Sequence, residues 1–152
     1  MITIGIDPGK SGGIASISDV GTLRVHNCPE TIAEMAEIVN QIKNYAFIEN
    51  EDLFATIELV HAFPTDARSS AFKFGTNYGI WLGILESFRI SYNKVSPQKW
   101  MKDYQPLSRD KRTRKNELKS FAKDVYEKAN LKTSDAILIA IWSKNDRAND
   151  RD

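Results

Sequence analysis

The stretch Ile4-Gly5-Ile6-Asp7-Pro8-Gly9, inside residues 1–17 (MITIGIDPGKSGGIASI), decides the fold. Strand alternation puts Ile2, Ile4 and Ile6 on one face and Thr3, Gly5 and Asp7 on the other. Pro8-Gly9 stops the strand. Gly12-Gly13 opens a second run, Ile14 to Ser18, so the two runs read as a hairpin. Asp7 then ends a strand at the centre of a sheet, just before a glycine-rich turn. A carboxylate in that place is costly unless positive charge meets it. The plainer alternative is an Asp-Pro-Gly turn with no chemistry.

A chain of 152 residues predicts one domain, 1–152, with room for a full core. Its single cysteine, Cys28, excludes an internal disulfide and suits a reducing, cytoplasmic compartment. No basic stretch leads into a long apolar run, so a secretory signal is not expected. The longest apolar run, Ala136 to Trp142, is too short to span a bilayer. Net charge is only +1. Its distribution is uneven: Lys99, Lys102, Arg109, Lys111, Arg112, Arg114, Lys115 and Lys119 share a segment with only Asp103, Asp110 and Glu117. A local basic segment in a near-neutral chain suits an anionic partner at one edge. A solvated helix face is the commoner explanation of a charge run.

Further along, Gly21-Thr22 reads as a turn and Leu23 to Cys28 as a third strand. Thr31-Ile-Ala-Glu34 fits a capping box opening a helix with Ile32, Met35, Ile38, Val39 and Ile42 on one side. Leu53 to Val60 reads as a strand apolar on both faces except at Glu58. A buried glutamate must be neutralised, paired or metal-bound, whereas one at a fraying strand end reaches water. His61 follows in a loop; no second histidine stands at ligand spacing, so no zinc site is expected.

Ser69 to Ser87 reads as a long helix with Gly75, Gly79 and Gly83 every fourth residue. Each helical glycine costs about 1 kcal/mol relative to alanine, so the stripe wants a reason. It serves either packing of this helix on its own sheet or contact with the same helix of a second copy. Arg89 to Val95 alternates like a strand, Pro97-Gln-Lys-Trp100 begins a short helix, and Asp110 to Ala129 is a helix with a basic start. Ser134 caps the last helix, with Asp135 in its first turn. The order predicts an α/β fold of ribonuclease-H-like topology, a mixed five-stranded sheet with helices on both faces. Strands one and four are adjacent there, and the last helix crosses them. Asp7, Glu58 and Asp135 would converge, and like charges that close raise one another's pKa. Divalent cations relieve this. Two Mg²⁺ about 3.5–4 Å apart can stabilise both the attacking and leaving oxygens of a phosphoryl displacement. Oxygen-only ligands favour Mg²⁺ or Mn²⁺.

Four stretches together, Ile-Gly-Ile-Asp7-Pro-Gly-Lys-Ser-Gly-Gly, Ile57-Glu58, Val95-Ser-Pro97-Gln-Lys-Trp100 and Ser134-Asp135-Ala136-Ile-Leu-Ile-Ala140, resemble the RuvC-type Holliday-junction resolvases. The compact size is most similar to the bacteriophage branch, which would place the protein in a host cytoplasm. The resemblance implies a homodimeric, Mg²⁺-dependent endonuclease acting on four-way junctions and other branched DNA, with Asp7, Glu58 and Asp135 as catalytic metal ligands. It makes Lys115 the catalytic lysine, with Lys111 and Lys119 as alternatives. His61 or Phe63 would be the aromatic wedge that stacks on bases at the crossover. Lys73, Lys99, Lys102, Lys111, Arg112, Arg114 and Lys119 would meet DNA, and the helix with Gly75, Gly79 and Gly83 would form the dimer. One departure stands out: the family commonly carries a fourth acid shortly before the last one, and here Lys132 stands three residues before Asp135. A junction-binding protein with weak or no cleavage is therefore the competing expectation. An actin-like or Hsp70-like ATPase also opens on Gly-Ile-Asp-x-Gly, but needs two lobes where this length supplies one.

Overall fold

The computed structural model describes residues 1–61 and 67–149. Five strands form one sheet: β1 (Ile2–Asp7), β2 (Gly13–Ser18), β3 (Leu23–Asn27), β4 (Leu53–Glu58) and β5 (Ser91–Val95). Their spatial order is β3-β2-β1-β4-β5. The first three strands run antiparallel as a meander, while β4 pairs parallel with both β1 and β5. β1 is thus the central strand. The helices are α1 (Ile32–Ile48), α2 (Arg68–Ser87), α3 (Pro97–Trp100), α4 (Lys111–Val125) and α5 (Ser134–Asn149), with a 3₁₀ turn at Met101–Tyr104.

Strand alternation divides the protein into two cores. Ile2, Ile4 and Ile6 join Ile57 against Met35, Val39 and Ile42 of α1 and Trp81, Ile84 and Leu85 of α2. On the opposite face Ala15 and Ile17 pack with Leu118 and Ala122 of α4 and with the apolar run Ala136–Ala140 of α5. Gly5 lies on this second face, where a Cβ would stand 2.3 Å from the Ala136 carbonyl oxygen and 2.4 Å from Ala140 N. The missing side chain lets α5 lie directly on the central strand.

Helix ends follow local chemistry. Thr31 and Glu34 form the reciprocal capping box that opens α1, and Ile32, expected on its inner side, is largely exposed. Ser96 caps α3, with Pro97 in its first turn. α4 stops at Val125, short of Ala129, because the chain turns there through Ala129 N–H to the Tyr126 carbonyl and buries Ala129. Ser134 is the first residue of α5 rather than its cap; its hydroxyl donates to the Asn130 carbonyl. β5 begins at Ser91, because Arg89 takes a left-handed φ of 54° after α2. α2 turns Trp81, Ile84 and Leu85 to the sheet, and a Cβ on Gly75, Gly79 or Gly83 would meet nothing within 4 Å. The glycine stripe therefore does not serve packing of α2 on its own sheet.

Candidate active site

Parallel pairing of β1 with β4 runs in register to Ile6↔Ile57. Asp7 and Glu58 each follow by one residue, so they end adjacent central strands on the face that α5 covers. Asp135, in the first turn of α5, is delivered to the same place because α5 lies on Gly5. Lys115, one turn into α4, reaches Asp135 with its Nζ 2.7 Å from Oδ2. Trp100, fully buried at the end of α3, donates from Nε1 to Glu58 Oε2 at 2.7 Å.

Electrostatics follow from that geometry. Asp7 is 7% exposed. Burial, then the Asp135 and Glu58 charges, push its carboxyl well above the usual carboxylate range, and Lys115 only partly offsets them. Burial likewise raises Glu58 to about 7, with Asp135 adding to the shift and the Trp100 hydrogen bond and Lys115 opposing it. Burial pulls the Lys115 ammonium down, but Asp135, then Asp7 and Glu58, outweigh it and hold the ammonium above its ordinary value. One lysine thus faces three acids, and the negative charge is incompletely matched.

The donor set fits a hard divalent cation. All candidate ligands are carboxylates, and Asp135 Oδ1 is buried without a hydrogen-bond partner. Such an orphaned oxygen beside desolvated acids calls for a cation, and oxygen donors suit Mg²⁺ or Mn²⁺. Among the described residues no three Asp, Glu, His or Cys side chains already form a closed cage. Asp135 and Glu58 are turned onto Lys115 and Trp100 instead.

The basic residues distribute unevenly about this centre. Lys111 and Arg112 line a groove of about 760 Å³ with Lys115, Ser11 and Lys132. Lys119 lines an adjoining groove with Lys123, Asn130 and the same Lys132. Arg114 is committed to structure: its Nη1 donates to the Ser108 and Arg109 carbonyls at 3.1 and 3.0 Å. Lys99 is exposed in α3, its Nζ 5.2 Å from the centre of the Trp142 ring. Lys102 and Lys73 are exposed, and neither lines these grooves. His61 is exposed three residues past Glu58, and Phe63 lies outside the described residues. Sequence reasoning did not single out Ser11 or Lys123, named Lys132 only as the residue standing where an acid was expected, and had Trp100 only within a motif. An indole donor next to a strand-borne glutamate becomes visible only once β4 and β5 are paired.

No protein-family model matches the chain, and no curated protein matches its sequence. Solved structures do match. The sheet order, the crossing helix and the flanking layers are those of the ribonuclease-H-like α/β proteins, and within that class the fold is RuvC-like. Thermus thermophilus RuvC in complex with a Holliday-junction substrate superposes with a TM-score of 0.59 at 15% identity, over 97% of this chain and 96% of that one. A second structure of Thermus thermophilus RuvC gives 0.58 at 15% identity, over 98% and 97%. The yeast mitochondrial Holliday junction resolvase Ydc2 gives 0.44 at 14% identity, over 92% and 76%.

Proposed function

We propose that this chain, a single nuclease domain over 1–152 of the bacteriophage type, is a divalent-metal-dependent endonuclease that cuts Holliday junctions and other branched DNA. The observation that carries the reading is the meeting of Asp7, Glu58 and Asp135 at the ends of two central strands and one crossing helix, with Lys115 on Asp135 and a basic groove beside it. Likeness to a RuvC bound to a junction substrate adds to it.

Asp7, Glu58 and Asp135 would hold Mg²⁺ or Mn²⁺, which offsets their repulsion and stabilises charge developing on the phosphate oxygens. Lys115 keeps a positive charge at the groove floor, where it can leave Asp135 and hold the scissile phosphate. Trp100, through its hydrogen bond to Oε2, would restrain the Glu58 carboxylate at the centre. Lys111, Arg112 and Lys119 bind backbone phosphates and set the register of the strand without reading its sequence. Water attacks phosphorus, the P–O3′ bond breaks, and the proton ends on the departing 3′-oxygen.

Two cuts on strands of like polarity suit a two-fold homodimer. The outer side of α2 is its interface, supported by Gly75, Gly79 and Gly83 opening onto free space and by Phe72 lying 76% exposed beside them. His61 and Phe63 of each copy flank the crossover. A branched-DNA substrate would place its action in the cytoplasm; among the described residues no helix is long and apolar enough to cross a membrane.

Cleavage of a synthetic four-way junction, a fork and a linear duplex, titrated against Mg²⁺, Mn²⁺ and Ca²⁺, tests the proposal. Cutting of the branched substrates with Mg²⁺ or Mn²⁺ is expected. Binding without cutting under every metal favours the second reading, a junction-binding protein. That reading draws on Lys132, which stands where the resemblance leads one to expect an acid. Sedimentation of Gly79→Leu beside cruciform-plasmid cleavage tests the dimer: nicked rather than linear product and a smaller species are expected.

A further inference from the structure

The turn after Asp7 carries two parts of the proposed site. Asp7 stands at its start, and Ser11 near its other end lines the basic groove with Lys115. Two backbone hydrogen bonds shape it: Gly12 N–H donates to the Gly9 carbonyl, and Cys28 N–H to the Gly12 carbonyl, at 2.9 Å each. Gly9 takes a φ of 107°, a conformation that side chains resist. Its N–H lies past the end of the β1 ladder, and a part-buried N–H needs an acceptor.

Asn77 supplies that acceptor from the middle of α2. Its Oδ1 receives the Gly9 N–H at 2.7 Å, while its Nδ2 donates to Cys28 Sγ at 3.4 Å, at the end of β3. A single amide thus spans both sides of the turn. Phe74, one turn earlier on α2, closes over Gly9: a Cβ there would lie 2.8 Å from the ring. Neither residue touches the acids. Both fix the backbone from which Asp7 and Ser11 project.

We propose that Asn77, backed by Phe74, is a positioning residue for the active site: it fastens α2 to the Asp7–Gly12 turn and holds Asp7 in its metal-binding pose. The inference rests on the nuclease reading above. It also ties the helix given to the dimer interface directly to the catalytic turn, so movement of α2 is felt at Asp7 and at the groove lip together. An asparagine suits this better than a longer amide, because its short stem leaves few rotamers between helix and turn.

The test compares wild type with Asn77→Ala, Asn77→Leu, Asn77→Asp and Asp7→Asn. Asp keeps an acceptor for Gly9 N–H, and Leu keeps the volume without it. Single-turnover junction cleavage at saturating protein, junction affinity in Ca²⁺ and calorimetric Mn²⁺ binding without DNA are measured on each. Expected is a drop of about 10–100-fold in cleavage rate and in Mn²⁺ affinity for Ala and Leu, the size seen when a group supporting a metal ligand is removed. Junction affinity should stay within about threefold, and Asp should recover most of the loss. Faster exchange of the Gly9 amide in Asn77→Ala should accompany the drop. Unchanged rate and Mn²⁺ affinity in Ala and Leu would overturn the proposal. So would a loss confined to junction affinity, or an Asp variant as impaired as Ala. If wild type binds junctions but never cuts, the nuclease reading fails separately, and the Mn²⁺ comparison between wild type and Asn77→Ala still decides the role of Asn77.

Discussion

The two faces of β1 are one residue apart in sequence and opposite in what they do. Ile2, Ile4 and Ile6 are buried against α1 and α2 with no polar atom to satisfy. Thr3, Gly5 and Asp7 look the other way, under α5. There the strand gives up side-chain volume at Gly5 and buries a carboxylate at Asp7. The first face stabilises the fold; the second spends part of that stability on a charged centre, as functional sites commonly do. A strand can do both because its side-chain period is two.

The sharpest break of the comparison is on the charged face. Asp7→Asn, Glu58→Gln and Asp135→Asn should each lower junction cleavage by about 10²–10³-fold or more, the scale of losing a group that stabilises the reacting charges. Binding measured in Ca²⁺ should be largely kept. Near-normal cutting by one of these variants removes that residue from the centre. The converse change on the apolar face is Ile4→Ala. Ile4 is fully buried, so the loss should be about 2–5 kcal/mol in denaturant unfolding. Cleavage per folded molecule, read well below the melting temperature, should not change. If Ile4→Ala disables the chemistry in protein that is still folded, the two faces are not separable.

The faces were not equally legible from sequence. The apolar face and the β-β-β-α-β-α-β order, with helices after the last strand, follow from periodicity, and so does the anomaly of Asp7 and Glu58 in apolar strands. The choice of Lys115 over Lys111 and Lys119 needed more. All three lie on one basic helix, and only the seating of α4 against α5 puts Lys115 rather than its neighbours on Asp135. Trp100 stood out only as the end of a short helical stretch; its bond to Glu58 joins residues 42 apart. Asn77 carried no local signal, and its partner is 68 residues away. Such pairings depend on tertiary registration, which local pattern does not carry. The glycine stripe could be read two ways from spacing alone, and the open space around it removes one of them.

A smaller effect tests whether the charged face does cost stability. Asp7 holds its proton more tightly in the folded chain than in the unfolded one, because of burial and then Asp135 and Glu58. The sign follows: without metal, the contribution of this group is most favourable below the ordinary carboxylate range and is lost as pH rises through the raised value. Glu58 behaves alike, losing its contribution as pH climbs towards about 7. Asp7→Asn removes the charge, so in EDTA at pH 8 the variant should be more stable than wild type by about 0.5–2 kcal/mol. Mg²⁺ should shrink or reverse the gap by stabilising only wild type. A variant that melts lower than wild type in EDTA would mean that the Asp7 charge is already balanced within the protein.

The smallest expected effect concerns the lysines of the two faces. Lys132 stands in the connector before α5 and lines both basic grooves beside Lys115 and Lys119. Lys43 is on α1, at the other face, with its Nζ 5.4 Å from the centre of the Phe88 ring. Each lysine that neutralises a backbone phosphate releases counterions, so its loss flattens the dependence of log K on log salt by about one. Lys132→Ala should do this between about 50 and 200 mM salt, while weakening junction binding alike for every base sequence. Lys43→Ala should leave both the slope and the affinity where they were. The contrast is informative in either direction, because the two substitutions remove the same charge from the same protein. Equal slopes for the two variants would mean that DNA does not run through the grooves under α4 and α5. A changed slope for Lys43 alone would place the DNA on the face of α1 and leave the acids without a substrate.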